Sequence, residues 1–366
     1  MRLPVKKIAL LHYWMTNMRG GENVLSEIAN LFPEADIFTH AYNPSVMNKV
    51  FGSHKITESF ISKLPGARKN CQKYLPLMPL ALSKLDLSEY ELIISSESGP
   101  SKGIRKPAGA KHICYCHTPM RYLWDMYEDY YNSTGVAGKI AMRAFKNYLR
   151  KYDLRSAENV DVFIANSKFI AERIKRIYKR ESEVVNPMVD YNFFSQGSYE
   201  KKDYYLLSGQ LISYKRPDLA LKACAKMGRK LVITGSGSME KELRKIAGSN
   251  VTFLGRISRE ELRKCYAEAR ALIFPGIEDF GIVPLEAQSA GTPVIALGIG
   301  GALETVAAGR SGVFFERPVA DCLADAMREF EKTEINSAAC RANAQNFTPE
   351  IFRKKLTRII DSCLLG

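Results

Sequence analysis

The sequence has no long apolar run among its 366 residues. Its first residues, MRLPVKKIALLHYW, place an apolar stretch after basic residues, but that stretch is too short to span a bilayer and lacks a small-residue cleavage site. We expect a first buried strand there rather than an export signal. The eight cysteines are scattered and form no Cys-x-x-Cys pair, so the sequence predicts a protein of the reducing cytoplasm.

Three further absences narrow the class of protein. No Asp-x-Asp triplet occurs, so the sequence offers no obvious carboxylate site for a metal. The glycines of MRGGEN do not form the Gly-x-Gly-x-x-Gly pattern that a dinucleotide-dependent oxidoreductase carries directly after a strand. No recognised nucleic-acid-binding motif appears either. We therefore expect no nucleic-acid partner, and both of these classes stay as weaker alternatives.

Charge is plentiful and uneven, with a formal net charge of +14. Residues 1–186 contain 28 Lys and Arg against 18 Asp and Glu, whereas the remainder contains 25 against 21. A basic half favours an anionic partner, which charge alone leaves open between nucleic acid, phospholipid headgroups and a phosphorylated substrate. A solvated basic surface explains the same numbers equally well.

Short apolar runs alternate with amphipathic stretches along the whole chain. Runs such as KIALLHYW, ELIISS, KHICYCH and VDVFIANS, and later YYLLSGQ, KLVITGS, NVTFLG, ALIFPG, TPVIAL and GVFF, predict strands. Strands that alternate with helices indicate parallel sheets covered on both faces, so we predict an α/β fold of two doubly wound domains. The alternation breaks near VVNPMVDYNFFSQG, which predicts domains at 1–186 and 187–347. A last helix at 348–366 is able to pack on either domain.

The stretch PGIEDFGIVPLEAQSAGTPVIA predicts a ligand site at the point where a strand is followed by a helix. Gly281 permits close approach to a ligand, and the amides of Ile282 and Val283 are predicted to point from the helix N-terminus at an anion or a sugar hydroxyl. Glu286 is predicted to lie in the first helical turn, where a carboxylate is favoured and can accept hydrogen bonds from a vicinal diol. Glu278 lies on the preceding loop, free to reach another part of the same ligand.

Three other strand ends of the second half carry similar chemistry. In SGQLISYKRPDLAL, Lys215 and Arg216 stand where a helix begins, a suitable place for cations that hold a diphosphate. VITGSGSMEKEL brings Gly235 and Gly237 directly after a strand, which favours close backbone approach to a nucleotide. NVTFLGRIS places Arg256 at a further strand end.

The spacing Glu278-x7-Glu286, together with YKRPDLAL, TGSGS and FLGRIS in that order, resembles glycosyltransferase family 4, retaining nucleotide-sugar transferases of GT-B fold. The resemblance covers the whole second half. In the first half HYWMTNMRGGENVL, FPEADIFTH, ISSESGPSKGI, ICYCHTPMRYLWD and FIANSKFIAERIK are similar to bacterial mannosyltransferases of that family that build O-antigen or exopolysaccharide chains. The implied architecture is two Rossmann-like domains that face a central cleft, the first binding acceptor and the second binding donor.

The resemblance also implies a role for each residue at a motif position. Glu286 would hold the nucleotide ribose, and Glu278 would lie beside the donor sugar and share the catalytic role with His117. The remaining implied donor contacts are Lys215 and Arg216 at the diphosphate, Gly235, Gly237, Gly281, Ile282 and Val283 along the backbone, and Arg256 and Ile257 at the base. Gly20, Gly21 and Arg121 would form the acceptor or phosphate loop. Many members have Arg where this chain has Gln210, so one expected cation is missing.

The implied reaction is metal-independent transfer with retention, in which the leaving phosphate serves as base for the acceptor hydroxyl. The resemblance implies mannose from GDP-mannose as donor, no cofactor, and a lipid diphosphate-linked glycan as acceptor at the cytoplasmic face of the inner membrane. The basic amphipathic stretches KIAMRAFKNYLRKYDLRSA and FISKLPGARKNCQKYLPLMPLAL suit such an anionic membrane surface or, equally, a solvated face. A UDP- or ADP-sugar donor and a nucleotide-sugar epimerase of the same fold stay as alternatives.

Two side-chain clusters of the first half stay open. His112, Cys114, Cys116 and His117 have the look of metal ligands, but alternation along a strand turns His117 away from the other three, so we expect buried core cysteines instead. The aromatic run from Tyr122 to Tyr131 fits either the core or a platform on which an acceptor sugar stacks.

Overall fold

The structure is a computed structural model and describes residues 7–365. These residues form two compact units. The first unit runs up to Asn186 and takes in the end of the chain from Arg353, and the second is Pro187–Phe352. Among the described residues, none of the helices combines the length and the apolar character needed to cross a bilayer.

The first unit is built on a parallel sheet of seven strands in the order β3-β2-β1-β4-β5-β6-β7. The strands are β1 (Ile8–His12), β2 (Asp36–Thr39), β3 (Ile56–Glu58), β4 (Leu92–Glu97), β5 (Lys111–Cys116), β6 (Val162–Ala165) and β7 (Glu183–Val184). The sequence predicted β1, β4, β5 and β6. It missed β2, β3 and β7, which have two to four residues each and lie toward the sheet edges, because so short a run carries little alternation of its own.

Eight helices belong wholly or mainly to this unit. They are α1 (Gly20–Leu31), α2 (Pro44–Phe51), α3 (Ala67–Asn70), α4 (Met78–Ser83), α5 (Tyr127–Ser133), α6 (Val136–Glu158), α7 (Lys168–Tyr178) and α16 (Pro349–Leu365). The last helix starts at Pro349, whose fixed φ and missing N–H suit the first helical position. Its Arg353 Nη1 lies 2.8 Å from Glu27 Oε2 on α1, so this end of the chain joins the first unit.

The second unit carries a parallel sheet of six strands in the order β10-β9-β8-β11-β12-β13. The strands are β8 (Tyr205–Ser208), β9 (Leu231–Thr234), β10 (Val251–Gly255), β11 (Ala271–Phe274), β12 (Val294–Leu297) and β13 (Gly312–Phe315). All six coincide with apolar runs that predicted strands. β11 and β12 are buried throughout, as strands covered on both faces must be.

The helices of the second unit cover both faces of that sheet with two apolar clusters. They are α8 (Tyr191–Phe194), α9 (Pro217–Met227), α10 (Glu240–Ile246), α11 (Arg259–Glu268), α12 (Ile282–Ser289), α13 (Ala302–Thr305), α14 (Ala320–Lys332) and α15 (Ser337–Ala344). One cluster includes Leu219 and Met327, and the other includes Tyr266 and Leu285. The α/β class with two doubly wound sheets is therefore confirmed.

Strand order fixes where each unit can hold a ligand. In an open parallel sheet the crevice forms beyond the carboxyl ends of the two central strands from which the chain winds in opposite directions. Those strands are β1 and β4 in the first unit and β8 and β11 in the second. The predicted site residues follow these four strands or their direct neighbours in the sheets, except Arg256 and Ile257, which follow the edge strand β10.

Candidate active site

The loops that leave β8, β9 and β11 lie backbone against backbone. A Cβ on Gly235 would come 1.9 Å from the carbonyl oxygen of Gly209, and one on Gly276 would come 2.6 Å from the Cα of Lys215. Gly235 also has φ +103°, a conformation that side chains rarely adopt. Gly237 is equally close to Leu211. Loop packing thus accounts for both predicted glycines, Gly235 and Gly237, and their approach to a nucleotide stays a prediction.

Lys215 and Glu278 form an ion pair across the central crevice of the second unit. The Lys215 Nζ lies 2.7 Å from Glu278 Oε1, and each side chain is about one-fifth exposed. Lys215 ends the turn after β8, whereas Glu278 follows β11, so the adjacency of these two parallel strands brings the pair together. Both residues, with Gln210, line a small cavity beside the β8 end. Gln210 therefore lies along the same cavity as Lys215 but contributes no charge to it.

Arg216 is engaged elsewhere. Its backbone is left-handed, with φ +51°, and its guanidinium bonds both carboxylate oxygens of Asp218 at 3.0 and 3.1 Å. It also donates to the carbonyl of Pro318. Of the two predicted diphosphate cations, the structure brings only Lys215 to the cavity with Glu278, and Arg216 would have to give up its bonds to Asp218 to act as predicted.

Glu286 lies on α12, which begins at Ile282 after Gly281 with φ +94°. The residue is the fifth of the helix, so the prediction that it occupies the first turn is wrong by one position. Its carboxylate is partly buried and accepts a 2.9 Å hydrogen bond from the hydroxyl of Tyr266. Burial raises the pKa of Glu286 to about 7, and the bond from Tyr266 opposes that rise. The group is thus poised between its two charge states near neutral pH.

The remaining donor residues surround these groups on neighbouring loops. Gly281 is the N-cap of α12, and Ile282 and Val283 supply its first amides, which have no partner inside the helix. Arg256 is exposed and donates from Nε to Ser236 Oγ at 2.9 Å, between the two glycines of the β9 loop. Ile257, next along, is half-buried.

In the first unit, His117 lies at the carboxyl end of β5 beside the start of α1. Its Nε2 is 2.9 Å from Ser96 Oγ, and its backbone N–H donates to the carbonyl of Glu97. Burial, followed by the neighbouring His12 and Arg121, lowers the pKa of His117 to about 3. His117 is therefore a neutral imidazole at physiological pH and can exchange hydrogen bonds but carries no charge.

Gly20 and Gly21 open α1 against that histidine. A Cβ on Gly21 would stand 3.5 Å from His117 Nε2 and 3.4 Å from the Tyr13 hydroxyl. The structure thus brings together Gly20, Gly21 and His117, with Arg121 close enough to act on the charge of the imidazole.

Sequence reasoning missed several polar groups in this part of the molecule. His12 ends β1 with a buried ring, and its Nε2 lies 3.7 Å from the buried carboxylate of Glu22 on α1. Glu22 directly follows the Gly20-Gly21 pair, which was the available signal. Missed as well is the fully buried trio of Glu97, Lys102 and Asp153. Glu97 and Lys102 lie close together in ISSESGPSKGI, but no local pattern indicates that Asp153 joins them.

The apparent metal cluster resolves as core. Cys114 and Cys116 are fully buried, and His112 Nε2 lies 2.9 Å from Ser95 Oγ. Within residues 7–365 no group of three or more His, Cys, Asp or Glu side chains is arranged to hold a metal ion. The aromatic run divides, because Tyr127 is buried whereas Tyr130 is 40% exposed.

Two family models match this chain. The model of Glycosyltransferase Family 4 matches residues 18–193, and the model of Glycosyl transferases group 1 matches residues 189–347. The two matches together cover residues 18–347, which include every predicted site residue and every described strand except β1. The chain therefore carries one domain of each of these two glycosyltransferase families, one after the other.

Curated relatives of this glycosyltransferase differ among themselves. A D-inositol 3-phosphate glycosyltransferase of Mycolicibacterium smegmatis is 31% identical over 214 residues, which are 52% of this chain and 49% of the relative. A GDP-mannose-dependent monoacylated alpha-(1-6)-phosphatidylinositol monomannoside mannosyltransferase of Corynebacterium glutamicum is 34% identical over 176 residues, 42% of this chain and 46% of the relative. The chain spans about half the length of the curated relatives it matches.

Solved structures agree with the glycosyltransferase over nearly its whole length. Sucrose-phosphate synthase of Thermosynechococcus elongatus superposes with a TM-score of 0.74 at 18% identity, covering 98% of this chain and 99% of that one. HepE of Anabaena, crystallised with UDP, gives 0.71 at 16% identity, covering 97% and 100%. Identities this low show the fold alone, and that fold is the predicted GT-B. The central cleft between the units stays a prediction.

Proposed function

We propose that this glycosyltransferase moves a hexose, most simply mannose from GDP-mannose, onto a lipid-linked glycan with retention of configuration. The main supporting observation is that Lys215 and Glu278, predicted from two different motifs, form an ion pair at the central crevice of the six-stranded sheet, with Glu286 near enough for Lys215 to act on its charge. A cation for the diphosphate, a carboxylate for the sugar and a carboxylate for the ribose are what a nucleotide-sugar site requires.

In the proposed reaction the bond from the anomeric carbon to the diphosphate breaks, and its electron pair leaves with the phosphate. The acceptor hydroxyl bonds to the same face of that carbon and gives its proton to the departing phosphate oxygen. Lys215 would stabilise the leaving charge, and to do so it must turn from Glu278 toward the phosphate. Neutral His117 would orient the sugar through a hydrogen bond. No step requires a metal or a cofactor.

The donor identity rests on one relative whose name specifies GDP-mannose. UDP-sugars are the second candidate, since HepE of Anabaena was crystallised with UDP-glucose as well as UDP. ADP-sugar transfer and epimerisation of the donor are the remaining alternatives.

Thermal unfolding with each nucleotide and its sugar conjugate tests the donor assignment. GDP, UDP, ADP and their sugars are added in excess EDTA to the wild type and to Glu286→Ala. We expect one nucleotide to raise the melting temperature of the wild type, because it binds the folded protein and not the unfolded chain. The same nucleotide should not raise the melting temperature of Glu286→Ala. No rise with any nucleotide would overturn the donor site. A product assay with the stabilising nucleotide sugar separates transfer from epimerisation.

The N-terminal half of α6 supports a lipid-linked acceptor at the cytoplasmic membrane face. None of residues 136–148 is buried, and Val136 and Ile140 are 77% and 66% exposed. Residues 136–152 contain five Lys or Arg and no Asp or Glu. Exposed apolar side chains among basic charges suit the surface of an anionic bilayer.

Flotation with vesicles tests that surface. We expect the protein to bind phosphatidylglycerol vesicles and not phosphatidylcholine vesicles, and Ile140→Glu to weaken that binding. Leu303→Glu, at a 56% exposed position of the second unit, is the matched control. Equal flotation of both variants would contradict docking through α6.

A further inference from the structure

Tyr266 is a fully buried side chain whose hydroxyl reaches two polar groups of the donor crevice. It lies on α11, and its ring packs edge-on against Phe194 with centroids 5.7 Å apart. Its Oη is 2.9 Å from Glu286 Oε2 and 3.1 Å from Ser208 Oγ. Ser208 is the last residue of β8, so one hydroxyl joins the central strand end to α12.

The chemistry of the three groups fixes the direction of these hydrogen bonds. An ionised carboxylate only accepts, so Tyr266 must give its single proton to Glu286. Ser208 then donates its own proton to the Tyr266 oxygen. The result is a chain from Ser208 through Tyr266 to one oxygen of Glu286, which leaves Oε1 and the remaining lone pairs to a ligand.

We propose that Tyr266, supported by Ser208, is a positioning residue that keeps Glu286 ionised and oriented for the vicinal diol of a nucleotide ribose. This inference rests on the proposed nucleotide-sugar site. Tyr266 itself touches no substrate, because its side chain is fully buried. It acts by stabilising the acceptor state of the carboxylate, the state that two ribose hydroxyls require.

The charged groups around Glu286 do not replace the hydrogen bond from the Tyr266 hydroxyl. Arg259 on α11 favours the ionised form, Asp190 before α8 opposes it, and the two pair with each other at 2.8 Å. Lys215, after β8, acts more weakly and is itself paired with Glu278. Burial, the largest influence, raises the pKa of Glu286 to about 7, and among the groups that oppose it the bond from Tyr266 comes first.

The sign of the pH dependence follows from that pKa. Ribose binding needs the carboxylate, so the affinity for a nucleotide sugar is full above the pKa of Glu286 and falls as pH drops through it. With a pKa near 7, the wild type is expected to bind about tenfold more weakly at pH 6 than on its alkaline plateau. Removing the Tyr266 hydroxyl raises the pKa further and moves the fall in affinity to higher pH.

The test is the affinity for GDP-mannose and for UDP-glucose from pH 5.5 to 8.5 by titration calorimetry, on the wild type and Tyr266→Phe. A nucleotide sugar is used because its diphosphate diester does not titrate in this range. Tyr266→Phe keeps the ring, and we expect the midpoint of the affinity profile to rise by about one pH unit, or about threefold weaker binding at pH 7.5. Glu286→Gln should bind weakly with a flat profile.

Tyr205→Phe is the matched control, because Tyr205 is buried in the same unit and donates a 2.8 Å hydrogen bond to Glu331 at the opposite end of β8. It should leave the profile unchanged. Should Tyr266→Phe fail to fold, Ser208→Ala is measured instead and should move the midpoint in the same direction by a smaller amount. If the wild type binds a nucleotide sugar and Tyr266→Phe has the same pH midpoint of affinity, the positioning role is overturned. Absence of binding to the wild type at every pH overturns the proposed function instead.

Discussion

Replacing Lys102 with Met perturbs a buried ion network that lies next to His117 in the first unit. The Lys102 Nζ lies 2.5 Å from Asp153 Oδ1 and 3.1 Å from Glu97 Oε1, and all three side chains are at most 1% exposed. Asp153 also accepts from Trp124 Nε1, and the Glu97 carbonyl accepts the N–H of His117. The network therefore ties β4 and α6 to the end of β5.

The expected cost follows from burial. Met has nearly the length of the Lys stem but no charge, so two carboxylates stay in the interior without their cation. Removing one partner of a buried pair costs about 3–5 kcal/mol, because the remaining charge is left unpaired. For a unit of this size each kcal/mol lowers the melting temperature by about 2–4 °C, so we expect a fall of about 6–20 °C.

The pH dependence of stability provides a second signature. Burial raises the pKa of Glu97 even with Lys102 present, and loss of the cation raises it further. A carboxyl group whose pKa is higher in the folded than in the unfolded state adds stability when protonated and loses it as pH rises through the folded pKa. The stability deficit of Lys102→Met should therefore shrink as pH is lowered from 7 to 5.

Thermal and urea unfolding followed by circular dichroism measure both effects. Lys106→Met is the matched control, since Lys106 Nζ lies 2.7 Å from Asp161 Oδ2 with side chains 24% and 33% exposed. An exposed pair of that kind contributes at most about 1 kcal/mol. Equal losses in the two variants, or a deficit of Lys102→Met that does not change with pH, would refute the reasoning.

Three further predictions concern the candidate site. Lys215→Met should weaken nucleotide-sugar binding at least about tenfold in calorimetry, and Arg216→Met should weaken it less, because only Lys215 lies in the cavity; the reverse order would contradict the assignment. His117→Gln should lower kcat while the pH–rate profile from 5 to 8 keeps its shape, because the pKa of His117 is about 3; an inflection lost with the imidazole would argue otherwise. Gly276→Ala should lower stability by about 1–3 kcal/mol in thermal unfolding, through a clash at 2.6 Å, whereas Gly135→Ala, with open space around it, should not.

The repeating strands and helices of the fold can be predicted from consecutive residues. Runs such as ALIFP and TPVIAL are apolar throughout because β11 and β12 are buried on both faces, and that pattern is written in adjacent residues. The transition from β11 to α12 could also be predicted from the sequence, because Gly281 has a positive φ that few other residues adopt. The edge strands β2, β3 and β7 escaped, since two to four residues carry too little periodicity.

The pairing of charged residues, in contrast, depends on how the chain folds. Lys215 and Glu278 are paired because β8 and β11 are neighbours in the sheet, an order that no local pattern states. The same holds for Tyr266 with Glu286, and for Lys102 with Asp153, 51 positions apart. Periodicity is a property of consecutive residues, whereas a pKa near 7 for Glu286 depends on burial and on partners that the fold brings from other strands and helices.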